Sequence, residues 1–187
     1  MDNSVLQTIM GRRSVRAYKP GRVDKKMLEQ IVQAGSFAPN GSGEQGWHFS
    51  VVQEAQLLER INQGAKDMAR HMGMEHLVQL GENASFNCLY GAPCCIIVSA
   101  LEEAPSAEQD AAAAVMNMLI AAQSLGVASC WVFFPLMALY PPMGEALLNE
   151  LRIPKGYVPK AAAIFGYAKG DAPPAAPRRE DMVTWLG

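Results

Sequence analysis

Cysteine is scarce in this chain: Cys88, Cys94, Cys95 and Cys130 are the four among 187 residues. They form no CxxC pair, and a chain of this size does not depend on a disulfide framework. They read as buried small hydrophobes in a reducing compartment. Cys94 and Cys95 sit side by side in an apolar run, where a strand would send them to opposite faces. Histidine is scarcer, with three residues. His71 and His76 are five apart, which is not the helical spacing for shared ligation, so the Met-rich run around them reads as packing rather than as a soft-metal site. His48, beside Trp47, has no sequence partner for a triad, and neither Gly-x-Ser-x-Gly nor His-Glu-x-x-His occurs. Charge of one sign is also missing. Sixteen basic against eighteen acidic residues leave a net charge of −2, which gives no support to bulk nucleic-acid binding. The apolar runs Cys94–Val98 and Ala111–Met116 fall far short of the ~20 residues that span a bilayer. Met1-Asp2-Asn3-Ser4 carries an acid and no leader-like apolar stretch. The expectation is a cytoplasmic protein with neither membrane nor nucleic acid as a partner.

Half of the residues are apolar and 18% are charged. That balance belongs to a folded globule. At this length folding removes roughly 70% of the extended chain's surface from water, enough for a core without staples.

The pattern along the chain alternates helix and strand irregularly, which fits one α+β or α/β domain. A short helix is expected over residues 3–11. Asp24 caps a second helix with Met27, Leu28, Ile31, Val32 and Gly35 on one face. A strand follows at Phe49–Val52, then helix over 55–80 with a break near Gly64 or Gly73. Pro93–Ala100 is a buried strand. Ser106 with Gln109 fits a capping box for a helix over 108–125 that stops at Gly126. Strands follow at Ala128–Phe134 and Lys160–Tyr167, with a helix at 143–151 between them. From about residue 168 a Pro/Ala-rich tail is extended. Asn117 interrupts the apolar stretch of the 108–125 helix, and its amide needs a partner, in the core or across a subunit contact.

Two stretches carry chemistry. Arg12-Arg13-Ser14-Val15-Arg16 places three guanidiniums and a hydroxyl within five residues, and such forks match phosphate oxygens. A solvated basic turn is the alternative, as it is for Arg178-Arg179 behind the tail's prolines. Gly41-Ser42-Gly43-Glu44-Gln45-Gly46 is literally Gly-x-Gly-x-x-Gly. It follows a helix and precedes a strand, the reverse of the order that puts a pyrophosphate on a helix N-terminus. It reads instead as a loop whose backbone can approach a ligand closely, or as a flexible surface loop. The chain offers no nucleophile–base pair, metal cluster or carboxylate pair. An enzyme of this composition would leave the chemistry to a cofactor.

Five stretches, in order, resemble the FMN-dependent nitroreductase family: Arg12 to Tyr18; Ala38 to Phe49; Gly91-Ala92-Pro93; Asp110 through Asn117 to Gly126 and Trp131; and Phe165-Gly166-Tyr167 followed by Pro177-Arg178-Arg179. Together they span residues 4–180. The resemblance implies a nitroreductase-like α+β fold over 1–187, a central mostly antiparallel sheet flanked by helices, assembled as an intertwined homodimer with two FMN molecules at the interface. Arg12, Arg13, Ser14 and Arg16 match positions near the phosphate, ribityl chain and ring. Arg178, with Arg179 beside it, matches a late phosphate contact. Pro39, Asn40, Gly41 and Gly43 match the loop that covers FMN from the partner chain. Trp131, Val132 and Phe133 match backbone near the flavin's reactive edge. The family often has Asn where Gly43 stands, and proline where Gly46 stands; a contact near residues 83–88 has no clear match. The implied activity takes a hydride from NADH or NADPH onto flavin N5, then passes it by ping-pong to a nitroaromatic, a quinone or a similar small electron acceptor. Arg16 would give electrostatic support, with no catalytic side chain and no metal. Flavin reduction, dehalogenation, ene reduction and a non-catalytic FMN-binding or redox-sensing dimer are the alternatives on the same scaffold.

Overall fold

The computed structural model describes residues 3–187; Met1 and Asp2, which carry part of the leader argument, lie outside the described residues. Four strands make one sheet in the order β1-β2-β4-β3, every neighbouring pair antiparallel: β1 (Trp47–Val52), β2 (Cys94–Leu101), β3 (Ala128–Val132) and β4 (Tyr157–Gly166). Both faces of the central strands are buried, so alternate residues enter two cores. Cys94, Ile96 and Val98 of β2 join one core, against α2 (Lys25–Ser36) and α5 (Ala107–Ser124). Cys95 and Ile97 face the other, against α3 (Ala55–His71), α4 (Glu75–Glu82) and α6 (Glu145–Glu150). The adjacent cysteines thus diverge as the strand period requires. Ala161, Ala162 and Ala163 do the same on β4. No described helix is long and apolar enough to cross a membrane.

Local chemistry explains most element boundaries. The Asn3 side chain accepts from the amides of Val5 and Leu6 to start α1 (Ser4–Gly11), and Asp24 accepts from Lys26 to start α2. The long helical stretch breaks at Gly73, whose φ of +68° suits glycine, and not at Gly64, which packs inside α3 against Ala138 and Leu147. Met68 and Met72, near the two histidines, pack against the core.

Three expectations change. Ser106 makes no capping hydrogen bond; its hydroxyl donates to Asp110 Oδ2 at 3.1 Å, because that carboxylate also receives the Gly41 amide from a distant loop. β3 stops at Val132, since Pro135 directs the chain into a 3-10 turn over Phe134–Leu139. β4 begins three residues early at Tyr157 and accommodates Pro159 opposite Ser99, where the pairing with β2 shifts register. Asn117 finds its partner inside the chain, donating to the Ala34 carbonyl of α2 at 3.1 Å.

The buried thiols predict an alkaline limit to stability. Burial pushes Cys88 and Cys94 up to about 12, and raises the fully buried Cys95 well above its ordinary value. Raised groups hold their protons in the fold but release them when unfolded, so the stability they contribute is complete below pH 9 and lost as pH rises toward 12. Each unit is worth ~1.4 kcal/mol, so the melting temperature is expected to fall steeply from pH 9 to 11. A flat profile there contradicts the buried neutral thiols.

Candidate active site

The basic cluster follows α1 as a strap across the end of the sheet. Ser14 bridges Ser129 of β3 in parallel, the Val15 amide donates to the Ser129 carbonyl at 3.0 Å, and Tyr18 bridges Ala168. The Tyr18 hydroxyl closes the strap by donating to the Val15 carbonyl at 2.7 Å, and burial raises its pKa. With the backbone fixed, the three guanidiniums part company. Arg13 Nη1 donates to the carbonyls of Met10 and Arg12, both at 2.7 Å, so it caps the open end of α1. Arg12 Nη1 is buried and has no hydrogen-bond partner among the described residues. The Arg16 guanidinium lies over the Tyr90 ring, 5.8 Å from its centroid.

Arg16 opens onto a cavity of about 410 Å³ that also takes in Trp131, Val132 and Phe133. Its lining also includes Phe86 and Cys88, from the 83–88 stretch that the sequence left unplaced, and Tyr90 just beyond it. Phe86 meets Tyr90 edge-on at 6.5 Å and Phe134 at 5.0 Å. Tyr90 has a φ of +53° and Gly91 of +71°. An aromatic residue in the left-handed region costs of order 1–3 kcal/mol and persists only where its surroundings impose it. The spacing of apolar residues carries no trace of such a conformation. A larger cavity of about 610 Å³, between α2 and β1 around Leu28, Val32 and Val51, contains none of the predicted residues.

The glycine loop is an ordered turn. Both oxygens of Asp110 accept from the Gly41 amide, at 3.1 and 3.2 Å, and Asn40 Oδ1 accepts from the Gln45 amide at 2.8 Å. A Cβ on Gly41 would lie 2.1 Å from Ser106 Oγ. Gly43 has a φ of +70°, a conformation asparagine also adopts, so glycine keeps the turn and gives up only the side-chain amide. Arg178 and Arg179 lie in the exposed tail, where Arg179 forks onto Asp181 at 3.0 and 2.7 Å.

These residues do not converge within one chain. The glycine loop is pinned at the N-terminal end of α5 through Asp110, whereas the strap lies at its C-terminal end, beside Gln123 and Gly126. An 18-residue helix is about 27 Å long at ~1.5 Å per residue.

The model of the nitroreductase family matches residues 9–167. The chain belongs to the nitroreductase family. Among solved structures, a nitroreductase with bound FMN from Bacteroides fragilis is 33% identical, with a TM-score of 0.94 and full coverage of both chains. A second, from Desulfitobacterium hafniense and also with bound FMN, is 26% identical at a TM-score of 0.90, again over both whole chains. An Archaeoglobus fulgidus protein, provisionally named an NADH dehydrogenase/NAD(P)H nitroreductase, is 31% identical over 89% of this chain and 86% of its own. The α+β nitroreductase fold expected from the sequence is the fold observed, and the family is one of oxidoreductases.

Proposed function

We propose that this nitroreductase-family protein is an FMN-dependent NAD(P)H oxidoreductase working as a homodimer in the cytoplasm, folded as one domain over 1–187. The observation that carries the cofactor assignment is the buried Nη1 of Arg12, which has no partner among the described residues. Such a group lowers stability unless a ligand satisfies it, and a phosphate oxygen is the natural acceptor for an arginine fork. FMN bound to the two solved relatives supports the same reading. When bound, FMN supplies the hydride chemistry.

The chain's own residues then divide the work. Arg12 and Ser14 hold the phosphate end, aided by Arg178; Arg13, engaged with α1, keeps the strap in place. Arg16 puts a fixed positive charge at the aromatic cavity and stabilises negative charge that develops there. Trp131, Val132 and Phe133 form the wall from which backbone groups approach the ring. Pro39, Asn40, Gly41 and Gly43 cover the cofactor of the other subunit, a reading supported by the separation of loop and strap along α5. Apolar surface on the single chain supports that assembly: Val5, Leu6, Ile9 and Met10 of α1 are exposed, as are Val183, Trp185 and Leu186 of the tail. The cavity's apolar walls favour a planar, electron-poor acceptor such as a nitroaromatic or a quinone.

The test is the visible spectrum of the purified protein before and after NADH or NADPH. An oxidised-flavin spectrum that bleaches on addition and recovers with a nitroaromatic or quinone is the expected result. A flavin spectrum unmoved by either nucleotide would favour a non-catalytic binder. A colourless protein that takes up no added FMN overturns the proposal.

A further inference from the structure

The wall formed by residues 86–90 is held from behind by a polar stripe on α3. Asn62, Lys66 and Arg70 recur every four residues, which aligns them along one side of the helix. They meet the backbone of the segment after α3 in antiparallel order. Arg70 Nε donates to the Gly81 carbonyl at 3.1 Å. Lys66 Nζ donates to the carbonyls of Asn83 at 2.7 Å and Phe86 at 3.3 Å. The Cys88 amide donates to Asn62 Oδ1 at 3.0 Å. The fit is close, since a Cβ on Gly81 would lie 2.6 Å from the Lys66 carbonyl oxygen.

Asn62 and Lys66 are each 4% exposed. Lysine is almost never buried unless paired, and among the described residues no carboxylate forms an ion pair with Lys66. Helix packing alone does not call for this, because well-packed apolar side chains serve as well or better than buried charge. What the ammonium does that a methyl group cannot is bind loop carbonyls outside any helix or sheet ladder. Those carbonyls belong to the segment that carries Phe86 and left-handed Tyr90, and Tyr90 carries Arg16.

We propose that Lys66, seconded by Asn62, is a positioning residue: it fixes the 83–90 wall and, through the Tyr90 ring, the place of the Arg16 guanidinium. The inference rests on the reading of this cavity as the FMN site. It predicts that loosening the wall weakens FMN binding and lowers the flavin's midpoint potential, because a displaced cation no longer favours the reduced, anionic form.

The experiment compares Lys66→Met, similar in length but without donors, with Ile61→Val, which trims a fully buried neighbour that is not part of the stripe. Hydrogen exchange on the full-length protein is expected to accelerate at least tenfold across 83–90 in Lys66→Met and to stay unchanged there in Ile61→Val. FMN dissociation constants should rise at least tenfold in the first and stay within twofold in the second, with the midpoint potential shifted negative only in the first. Lys66→Gln keeps one donor group, falls between the two and serves if the methionine variant fails to fold. Unchanged exchange across 83–90, or equal losses of affinity and potential in Ile61→Val, overturns the proposal. If the wild-type protein binds no FMN, the functional reading fails, while the exchange result still decides whether Lys66 holds the wall.

Discussion

Arg12→Ala is expected to weaken FMN binding ten- to a hundredfold while leaving the flavin-free protein as stable as before. The two halves have one cause. A charge-assisted hydrogen bond contributes about 1.5–3 kcal/mol, which is one to two decades of affinity. Before ligand arrives, the same buried Nη1 is an unsatisfied donor, and such a group costs ~1–3 kcal/mol. Alanine removes that cost together with the packing of the arginine stem, and the two changes oppose each other. Arg13→Ala should behave in the opposite way: it strips two bonds from the end of α1 and lowers stability first. Fluorescence titration with FMN, paired with thermal melts of flavin-free protein, separates the two arginines. Full FMN affinity in Arg12→Ala would remove the phosphate assignment from this residue.

That contrast marks the limit of what the sequence discloses. The arginine cluster stands out because three guanidiniums occupy five positions. Which one is free depends on where the α1 carbonyls end, a matter of helix termination that composition does not encode. That Cys94 and Cys95 take opposite faces was legible, since strand alternation follows from backbone geometry alone; which core each one joins was not. Ser106 was misread for the converse reason. Its spacing to Gln109 is a local pattern, and a carboxylate that also binds an amide sixty-nine residues away overrides it. Asn62, Lys66 and Arg70 escaped notice because polar residues on a helix ordinarily face water. Their four-residue repeat was the available signal, but its meaning depends on where the next segment runs. Tyr90 is the extreme case: its left-handed backbone goes with a ring packed on Phe86 and under Arg16, and the spacing of residues along the chain does not announce it.

Mixing two subunits that each bind flavin poorly should restore flavin binding. Arg12→Ala damages the strap, and Gly41→Val damages the covering loop, where even a Cβ would lie 2.1 Å from Ser106 Oγ. Each homodimer carries the same lesion in both of its sites. In the mixed dimer the strap of the Gly41→Val chain meets the loop of the Arg12→Ala chain, giving one intact site and one doubly damaged site. Co-expression with two affinity tags, selecting for both, is therefore expected to yield about half the wild-type flavin content, against little in either parent. The prediction follows from the length of α5: the loop is anchored near one end of the helix at Asp110 and the strap near the other at Gln123, about 20 Å apart at ~1.5 Å per residue. A site confined to one chain gives the contrary result, because each mutant subunit then stays damaged whatever its partner, and the mixed dimer binds no more flavin than the mean of its parents.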